Sequence, residues 1–448
     1  MRLTNGSLLV SLVLASFLES SLGGAFVGVN IGTDVTDMPS AADVVALLNK
    51  ANITHVRLFD ADRRMLLALA DTGVQVMVSV PNNQLLGIGQ SSSSAANWVN
   101  KNVAAYLPNT NITAIAVGSE VLTTLPNAAP VLVPAMKFLH AALVAANLDL
   151  QVKVSTPHAM DVILDAFPPS NALFNSSWNS VLRPMLSFLH DTDSYLMVNV
   201  YPYYVYVKSN GIFPLDYALF RPLAANKEAV DPNTMLHYTN VFDAVVDAAY
   251  FAMAAINHTD IPVLVTETGW PSQGDADEPD ATLDNAETYN SNMMAHVLNN
   301  TGTPKHPGIY VNTYIYELFN EDLKPGSTSE KNWGLFSANT TPVYRLTGAS
   351  SILADNATGG LFCVAMAGAD STQLQAALDW ACGKSETDCQ SIQSNGTCYE
   401  PNTVADHASY AFNSYYHNTG MTPDSCSFNG VATTTTVDPS HDSCIFTS

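Results

Sequence analysis

Short apolar runs alternate with amphipathic stretches along the chain from Phe26 to about Arg345. Eight of these runs are typical of buried strands, because both faces of a parallel strand are covered and nearly all its residues are apolar. They span residues 26–30, 55–59, 74–80, 112–117, 151–155, 195–201, 263–266 and 309–316. The helical spacing of apolar positions predicts helices between them, at residues 41–50, 63–71, 95–107, 130–147, 181–191, 240–257 and 282–298.

This order of elements predicts an α/β fold. Eight alternating β and α units within residues 26–345 indicate a (β/α)8 TIM barrel. The main alternative is an open, doubly wound sheet, which carries a glycine-rich phosphate-binding turn after its first strand. The sequence has no such turn at that place, so the barrel is favoured.

A second, smaller domain is predicted at the C-terminus. Residues 346–360 are mostly small and form a predicted linker, and the domain covers residues 361–448. An even set of cysteines in this short segment indicates a disulfide-rich domain. Zinc is the alternative, although no Cys-x-x-Cys pair occurs, and the spacing alone leaves every disulfide pairing open. The six cysteines are Cys363, Cys382, Cys389, Cys398, Cys426 and Cys444.

The first residues have the features of a secretory signal peptide, which we assign to residues 1–25. Arg2 supplies the positive charge, residues 8–18 are mainly apolar, and residues 20–25 include the small side chains of a cleavage site. The chain lacks a hydrophobic tail for a lipid anchor, and we predict no transmembrane segment. We therefore expect a secreted, extracellular glycoprotein. Its Asn-x-Ser/Thr sequons begin at Asn52, Asn111, Asn175, Asn257, Asn299, Asn339, Asn356 and Asn395.

The composition limits the classes of partner. Asp and Glu number 40 against 17 Lys and Arg, which argues against nucleic acid, because phosphates attract clustered basic residues. A neutral substrate fits this balance, although net charge also governs solubility alone. The histidines show no HExxH or other paired-ligand spacing, and no Gly-x-Ser-x-Gly turn is present. We predict no metal and no cofactor, and we expect a monomer.

Two glutamates follow predicted strands, Glu120 after the fourth and Glu267 after the seventh. Barrel enzymes carry their catalytic groups at the C-terminal ends of strands, so these side chains are predicted to converge. Converging carboxylates cleave glycosidic bonds. They lie about 5–5.5 Å apart in retaining enzymes and farther apart in inverting ones. We assign Glu267 as nucleophile and Glu120 as acid/base, although the sequence does not separate the two geometries. The alternative for each glutamate is capping of a following helix.

Further residues near these glutamates are suited to sugars. Aromatic rings stack on the CH faces of sugars, while amide and phenol groups bond hydroxyls. The alternatives are core packing for the aromatic residues and a solvated loop for the charged ones. The predicted substrate-binding residues are Ser119, Asn199, Tyr201, Tyr203, Trp270, Glu321, Lys324 and Glu330.

These motifs resemble those of the plant β-1,3-glucanases of glycoside hydrolase family 17. Residues 266–272, Thr-Glu-Thr-Gly-Trp-Pro-Ser, resemble the nucleophile motif, and residues 116–120 resemble the acid/base motif. Residues 201–202, 319–324, 330 and 333–336 also match, so the resemblance covers residues 26–345. It implies that Glu267 is the nucleophile and Glu120 the acid/base, and that Glu321, Lys324 and Glu330 support the site. The implied reaction is endo-hydrolysis of 1,3-β-D-glucosidic links with retention.

The C-terminal segment resembles the X8 domain, a carbohydrate-binding module of family 43. The resemblance lies in residues 362–365, 374–383, 398–403 and 407–416. It implies binding of β-1,3-glucan polysaccharide. It also implies the disulfide pairs Cys363–Cys426, Cys382–Cys389 and Cys398–Cys444.

One position departs from the pattern of family 17. The family commonly has Asn before the acid/base, where its amide bonds the substrate 2-hydroxyl, whereas this chain has Ser119. A shorter hydroxyl side chain predicts reduced rather than absent activity, because contacts to the 2-hydroxyl strengthen in the transition state. Two alternatives to hydrolysis stay open. One is a non-hydrolytic glucan-binding protein of the cell wall, and the other is a transglycosylase.

Overall fold

The computed structural model describes residues 24–346, 362–366, 369–384, 387, 389–394, 396–419, 423–435, 439–440 and 444–447. The predicted signal peptide, apart from its last two residues, and the predicted linker, apart from residue 346, lie outside the described residues. The chain divides into two compact units, at residues 1–353 and 354–448.

In the barrel unit the main strands and helices alternate as predicted, with two short hairpins, β7–β8 and β10–β11, in addition. The strands are β1 Val27–Ile31, β2 His55–Leu58, β3 Gln75–Val80, β4 Asn111–Val117, β5 Lys153–Ser155, β6 Pro157–Ala159, β7 Ile163–Leu164, β8 Leu173–Phe174, β9 Leu196–Asn199, β10 Ala229–Val230, β11 His237–Tyr238, β12 Val263–Thr268, β13 Thr313–Ile315, β14 Phe362–Ala365 and β15 Ala432–Thr435. The α-helices are α1 Ala41–Lys50, α2 Arg63–Ala68, α3 Leu85–Gly89, α4 Ser92–Val99, α5 Val121–Thr124, α6 Ala129–Ala145, α7 Asn179–Asp191, α8 Pro202–Lys208, α9 Leu215–Ala218, α10 Val241–Ala254, α11 Leu283–Leu298, α12 Ser371–Cys382 and α13 Val404–Asn418.

Nine parallel strand segments form the barrel, in the order β5-β4-β3-β2-β1-β13-β12-β9-β6. The first and last segments of this order, β5 and β6, are separated in sequence only by Thr156. β5 lies within the predicted fifth strand, residues 151–155, and pairs with β4, whereas β6 continues beyond the predicted end and pairs with β9. Pro157 has no N–H to donate and therefore suits the start of β6. The (β/α)8 barrel predicted from the sequence is confirmed, with its fifth strand broken.

Several predicted elements differ in length from those observed. The sixth predicted strand, 195–201, is only Leu196–Asn199, because Pro202 begins α8 and proline is favoured at the first turn of a helix. The predicted helix 95–107 is α4 followed by one wide π-helical segment, Asn100–Ala104. The eighth predicted strand, 309–316, has ladder pairing only over Thr313–Ile315.

The barrel interior is built in two layers. An apolar layer at the N-terminal ends of the strands includes Met77, Met197, Leu264 and Tyr314. Side chains two residues further along a strand face the same interior. On β9 that residue is Asn199, which is buried and polar. The upper layer therefore places polar groups at the C-terminal ends of the strands, where a site is expected in this fold.

One described helical stretch, Pro126–Ala145, is long and apolar enough to pass a length-and-composition test for crossing a membrane. Its side chains Leu132, Met136, Leu139 and Leu143 are fully buried in the barrel unit. The helix also contacts α3, α4 and α7. These contacts are typical of a core helix of a globular domain, which passes the same test.

The C-terminal unit has its own small core. The antiparallel pair β14–β15 and the helices α12 and α13 surround buried Phe362, Leu374 and Phe412. Three disulfides connect these elements, Cys363–Cys426, Cys382–Cys389 and Cys398–Cys444. They are the three pairs that the family resemblance implies, so zinc is not the role of these cysteines.

Candidate active site

The two glutamates reach the same cavity by different local structures. Glu267 lies within β12, at a bulge in the pairing of β12 with β9. Glu120 lies three residues beyond β4, in the left-handed conformation with φ 50° and ψ 40°. A turn through Gly118, with φ 69°, and Ser119 carries the chain to it. This turn directs the Glu120 side chain back over the barrel instead of into the helix that follows.

Asn199 connects the two carboxyl groups. It is the register partner of Glu267 in the β9–β12 ladder. Its Nδ2 donates a hydrogen bond of 2.8 Å to Glu120 Oε1, while its Oδ1 accepts one of 2.8 Å from Thr266 Oγ1. Thr266 thereby orients the Asn199 amide, and the amide in turn orients the carboxyl group of Glu120.

Glu267 has one positive and one neutral partner. Arg57 Nη1 lies 2.6 Å from Glu267 Oε1, and Tyr201 donates its hydroxyl to Oε2 at 2.9 Å. Arg57 is fully buried, and its Nη1 also contacts the backbone oxygen of Thr266 at 3.3 Å. The two contacts orient the Glu267 carboxyl group, and Arg57 places a positive charge beside it.

The Glu120 carboxyl group has the opposite electrostatic character. Burial raises its pKa, and the negative charge of Glu267 raises it further. The hydrogen bond from Asn199 and the charge of Arg57 act in the other direction without reversing the shift. Glu267 thus has a cationic partner, while Glu120 is a carboxylic acid of raised pKa. Acid-assisted displacement uses this division of roles.

The cavity that contains both groups, called the barrel cavity below, has a volume of about 610 Å³. Of the residues predicted from the sequence to bind substrate, Ser119, Asn199, Tyr201, Lys324 and Glu330 line it. Glu321 does not line it but is buried behind it, where its Oε2 accepts the Tyr316 hydroxyl at 3.2 Å.

Tyr203 and Trp270, also predicted to bind substrate, are not among the residues that line the barrel cavity. Trp270 has no exposed surface, and its indole N–H donates to the backbone oxygen of Asp280 at 2.8 Å. Tyr203 is 1% exposed, and its hydroxyl donates to Glu278 at 3.0 Å. The two rings pack edge to face against each other at 5.1 Å, outside the barrel cavity. The alternative considered for them, core packing, is the one observed.

Several residues in or beside the barrel cavity are not among the substrate-binding residues predicted from the sequence. Arg57 is the charge that holds Glu267, and its only sequence signal is a basic residue inside an apolar strand. Phe59, Tyr204 and Tyr316 supply aromatic walls. Tyr204 donates its hydroxyl to Glu330, and Lys324 donates to the Tyr316 hydroxyl. Asn82 begins a short 3-10 helix after β3, Asn82–Gln84, and makes two hydrogen bonds to the backbone of Ser119.

No group of His, Cys, Asp and Glu side chains suited to hold a metal ion occurs among the described residues.

A (β/α)8 barrel that brings two carboxyl groups of opposite electrostatic character to one polar cavity defines a glycoside hydrolase. The chain belongs to glycosyl hydrolases family 17, whose model matches residues 27–347, and the X8 domain model matches residues 361–433. This agrees with both resemblances found in the sequence.

Relatives of known name extend along nearly the whole chain. Glucan endo-1,3-beta-glucosidase 3 of Arabidopsis thaliana is 62% identical over 441 residues, covering 98% of this chain and 88% of that protein. Glucan endo-1,3-beta-glucosidase 2 of the same plant is 63% identical, covering 94% and 84%. Among solved structures, CJP38, a β-1,3-glucanase and allergen of Cryptomeria japonica pollen, is similar with a TM-score of 0.68 and 45% identity, covering 71% of this chain and 98% of that one.

Proposed function

We propose that the barrel unit is an endo-hydrolase of 1,3-β-D-glucosidic linkages in β-1,3-glucan. The observation that carries this proposal is the arrangement of Glu120 and Glu267, joined through Asn199 in one cavity. The substrate class comes from the relatives, whose names state activity on 1,3-β-glucan.

The proposed reaction is a double displacement with retention of configuration. Glu120 donates its proton to the glycosidic oxygen as the bond from that oxygen to the anomeric carbon breaks, and Glu267 forms a bond to the anomeric carbon. Glu120, now ionised, then takes a proton from water, whose oxygen attacks the same carbon and releases Glu267. The raised pKa of Glu120 suits it to the first step, and Arg57 and Tyr201 hold Glu267 for its attack.

The walls of the barrel cavity suit a neutral sugar chain. The rings of Tyr201, Tyr204 and Tyr316 are next to carboxyl and ammonium groups of Glu330 and Lys324. Aromatic faces beside hydrogen-bonding groups match the alternating CH faces and hydroxyls of glucose. Ser119 is the member of this wall where the family commonly has Asn, and we expect it to contribute less to binding at the 2-hydroxyl.

The C-terminal unit is proposed to bind the same polymer. An exposed groove of about 620 Å³ is lined by Gln373, Trp380, Tyr415, Phe428 and Asn429, among other residues. Trp380 is 48% exposed and contacts Tyr415 and Phe428 edge to face at 5.3 and 5.9 Å. An exposed, supported indole is a platform on which a sugar ring stacks, so the unit would raise the local concentration of glucan for the barrel.

The remaining expectations from the sequence are part of this proposal. The proposed protein is a secreted, extracellular monomer, and its disulfides fit an extracellular location. Its proposed parts are a signal peptide at residues 1–25, a barrel at 26–345, a linker at 346–360 and an X8 domain at 361–448. Exposed asparagines at four described sequons, Asn52, Asn257, Asn299 and Asn339, are accessible to glycosylation.

The test is a time course of the mature protein on linear β-1,3-glucan, beside the variant Glu267→Ala. Internal oligosaccharides released by the wild type and not by the variant are the expected result. Products longer than the starting chains would instead establish transglycosylation. Polymer binding without products from either protein would refute hydrolysis, and Ser119→Asn would then test whether that position is the cause.

A further inference from the structure

Two carboxyl groups lie buried behind the barrel cavity, on the segment that follows β13. Glu317 has no exposed surface, and Glu321 is 4% exposed. Glu321 accepts two hydrogen bonds, from the backbone N–H of Asp34 at 2.9 Å and from the Tyr316 hydroxyl at 3.2 Å. In the described part of the chain, no donor reaches either carboxyl oxygen of Glu317. Burial of an ionised carboxylate without a hydrogen-bond donor strongly destabilises the folded state, so an ionised Glu317 would be unfavourable here.

Gly32 lies next to both carboxyl groups, and its position sets an upper limit on the distance between them. A Cβ atom at Gly32 would lie 2.1 Å from Glu317 Oε2 and also 2.1 Å from Glu321 Oε1. The two oxygens therefore lie within twice that distance of each other. Any side chain at position 32 would fill this space, so the glycine allows the carboxyl groups to meet.

The charges around this pair do not suit two ionised carboxylates. Lys324 is the cation that acts on Glu317, while Glu267 and Glu321 add negative charge. The neighbouring Arg57 is already paired with Glu267 at 2.6 Å. Burial raises the pKa of Glu317 well above its ordinary range, and the charge of Glu321 raises it further. Like carboxylates at this separation retain one proton between them.

We propose that Glu317 and Glu321 share one proton, and that Glu317 is a positioning residue for the catalytic cavity. As a neutral carboxylic acid, Glu317 donates its O–H to Glu321. The bond fixes Glu321 so that its other oxygen accepts the hydroxyl of Tyr316. Tyr316 in turn lines the barrel cavity and accepts a hydrogen bond from Lys324.

The shared proton also limits the negative charge beside the cavity, because the ammonium group of Lys324 already has Glu330 as a partner at 3.6 Å. The shared proton leaves one negative charge on the pair, which faces the ammonium group of Lys324. Loss of the proton would place two like charges beneath Tyr316 and near Glu267. Glu317 therefore acts through Glu321 and Tyr316, without contact with substrate.

Two variants of the full chain distinguish a role of Glu317 as hydrogen-bond donor from a role in which it only fills space. Glu317→Gln keeps the shape and an N–H donor towards Glu321, whereas Glu317→Leu removes the donor. Glu228→Gln, at a glutamate paired with His237 away from the barrel cavity, is the matched control. We expect Glu317→Leu to lower kcat on β-1,3-glucan by about tenfold with a smaller change in KM, and Glu317→Gln to retain kcat within about twofold.

The direct readout is infrared spectroscopy at neutral pH. The difference spectrum between wild type and Glu317→Gln should contain the C=O band of a protonated carboxylic acid, and the Glu228→Gln difference should lack it. Absence of this band from the Glu317→Gln difference would overturn the shared proton. Equal losses of kcat in folded Gln and Leu variants would overturn the donor role. If Glu317→Leu fails to fold, the Gln variant with its infrared spectrum and kcat decides alone.

Discussion

The side-chain amide of Asn82 makes two hydrogen bonds to the backbone of Ser119. Its Nδ2 donates to the Ser119 carbonyl at 3.0 Å, and its Oδ1 accepts the Ser119 N–H at 2.8 Å. The next residue, Glu120, has φ 50°, a conformation that costs a residue with a Cβ roughly 1–2 kcal/mol. Asn82 therefore holds the strained turn that aims the proposed acid/base.

The first prediction concerns this amide. Asn82→Ala should lower kcat about tenfold with little change in KM, because loss of two part-buried hydrogen bonds lets the turn relax and Glu120 move. Kinetics on a soluble β-1,3-glucan measure this. Asn83→Ala, at the exposed neighbour in the same short helix, should match the wild type. Wild-type kcat in Asn82→Ala would mean that the turn holds itself.

A second prediction concerns the hydroxyl that binds the proposed nucleophile. Tyr201→Phe removes the 2.9 Å hydrogen bond to Glu267 and leaves the ring in place. A hydrogen bond to a charged group is worth about 1.5–3 kcal/mol, so kcat/KM should fall about tenfold or more. Tyr206→Phe, which removes a hydroxyl bonded to Asp280 outside the barrel cavity, is the control. Equal kinetics for the two variants would contradict a role for Tyr201 at Glu267.

Trp270 is predicted to act on stability and not on substrate. Trp270→Phe removes a buried indole and its hydrogen bond to Asp280, which should cost about 2 kcal/mol of unfolding free energy. Thermal melting should show a lower Tm, while KM should stay within about twofold of the wild type. A large rise in KM at unchanged Tm would contradict this prediction and would indicate that Trp270 contacts substrate.

The pH dependence of stability should have a contribution from Asp247. Burial raises the pKa of this carboxyl group from 3.8 to about 6, against hydrogen bonds from Tyr238 and the Lys305 backbone. At pH values between 3.8 and about 6, Asp247 keeps its proton in the folded state and loses it in the unfolded chain. Stability from this group is therefore present at low pH and is lost as the pH rises through 6.

Asp247→Asn removes this titration. Melting curves between pH 4.5 and 7 should show the wild type losing stability relative to the variant, by about 3 kcal/mol at most. Asp260→Asn, at a half-exposed carboxylate beside His190, should follow the wild-type curve. Parallel curves for the wild type and Asp247→Asn would show that Asp247 has an ordinary pKa.

The last prediction separates polymer binding from catalysis. Trp380→Ala removes the exposed ring of the C-terminal groove and should weaken binding of the full chain to insoluble β-1,3-glucan about tenfold. Hydrolysis of short soluble oligosaccharides should not change, because the proposed catalytic pair, Glu120 and Glu267, belongs to the barrel unit. Phe428 packs against Trp380, so unchanged melting of the C-terminal unit is the control for folding. Undiminished polymer binding would place the glucan site elsewhere.

Much of the fold follows from the spacing of apolar residues. The eight predicted runs all contain barrel strand segments, because a parallel strand covered on both faces needs an almost continuous apolar sequence. The position of Glu267 could be predicted for the same reason, since a carboxylate that follows such a run lies at a strand end. The break at Thr156 was not predicted, because it depends on which neighbour each half of the strand pairs with.

The sequence by itself determined the two units, the order of strands and helices, and the pair of glutamates at strand ends. The tertiary structure decided which side chains surround those glutamates. Arg57 reaches Glu267 across a sequence separation of 210 residues, and Trp270, only three residues from Glu267, is buried away from the cavity. Periodicity along the chain specifies which face of an element is covered, whereas the partner on that face depends on barrel closure and register.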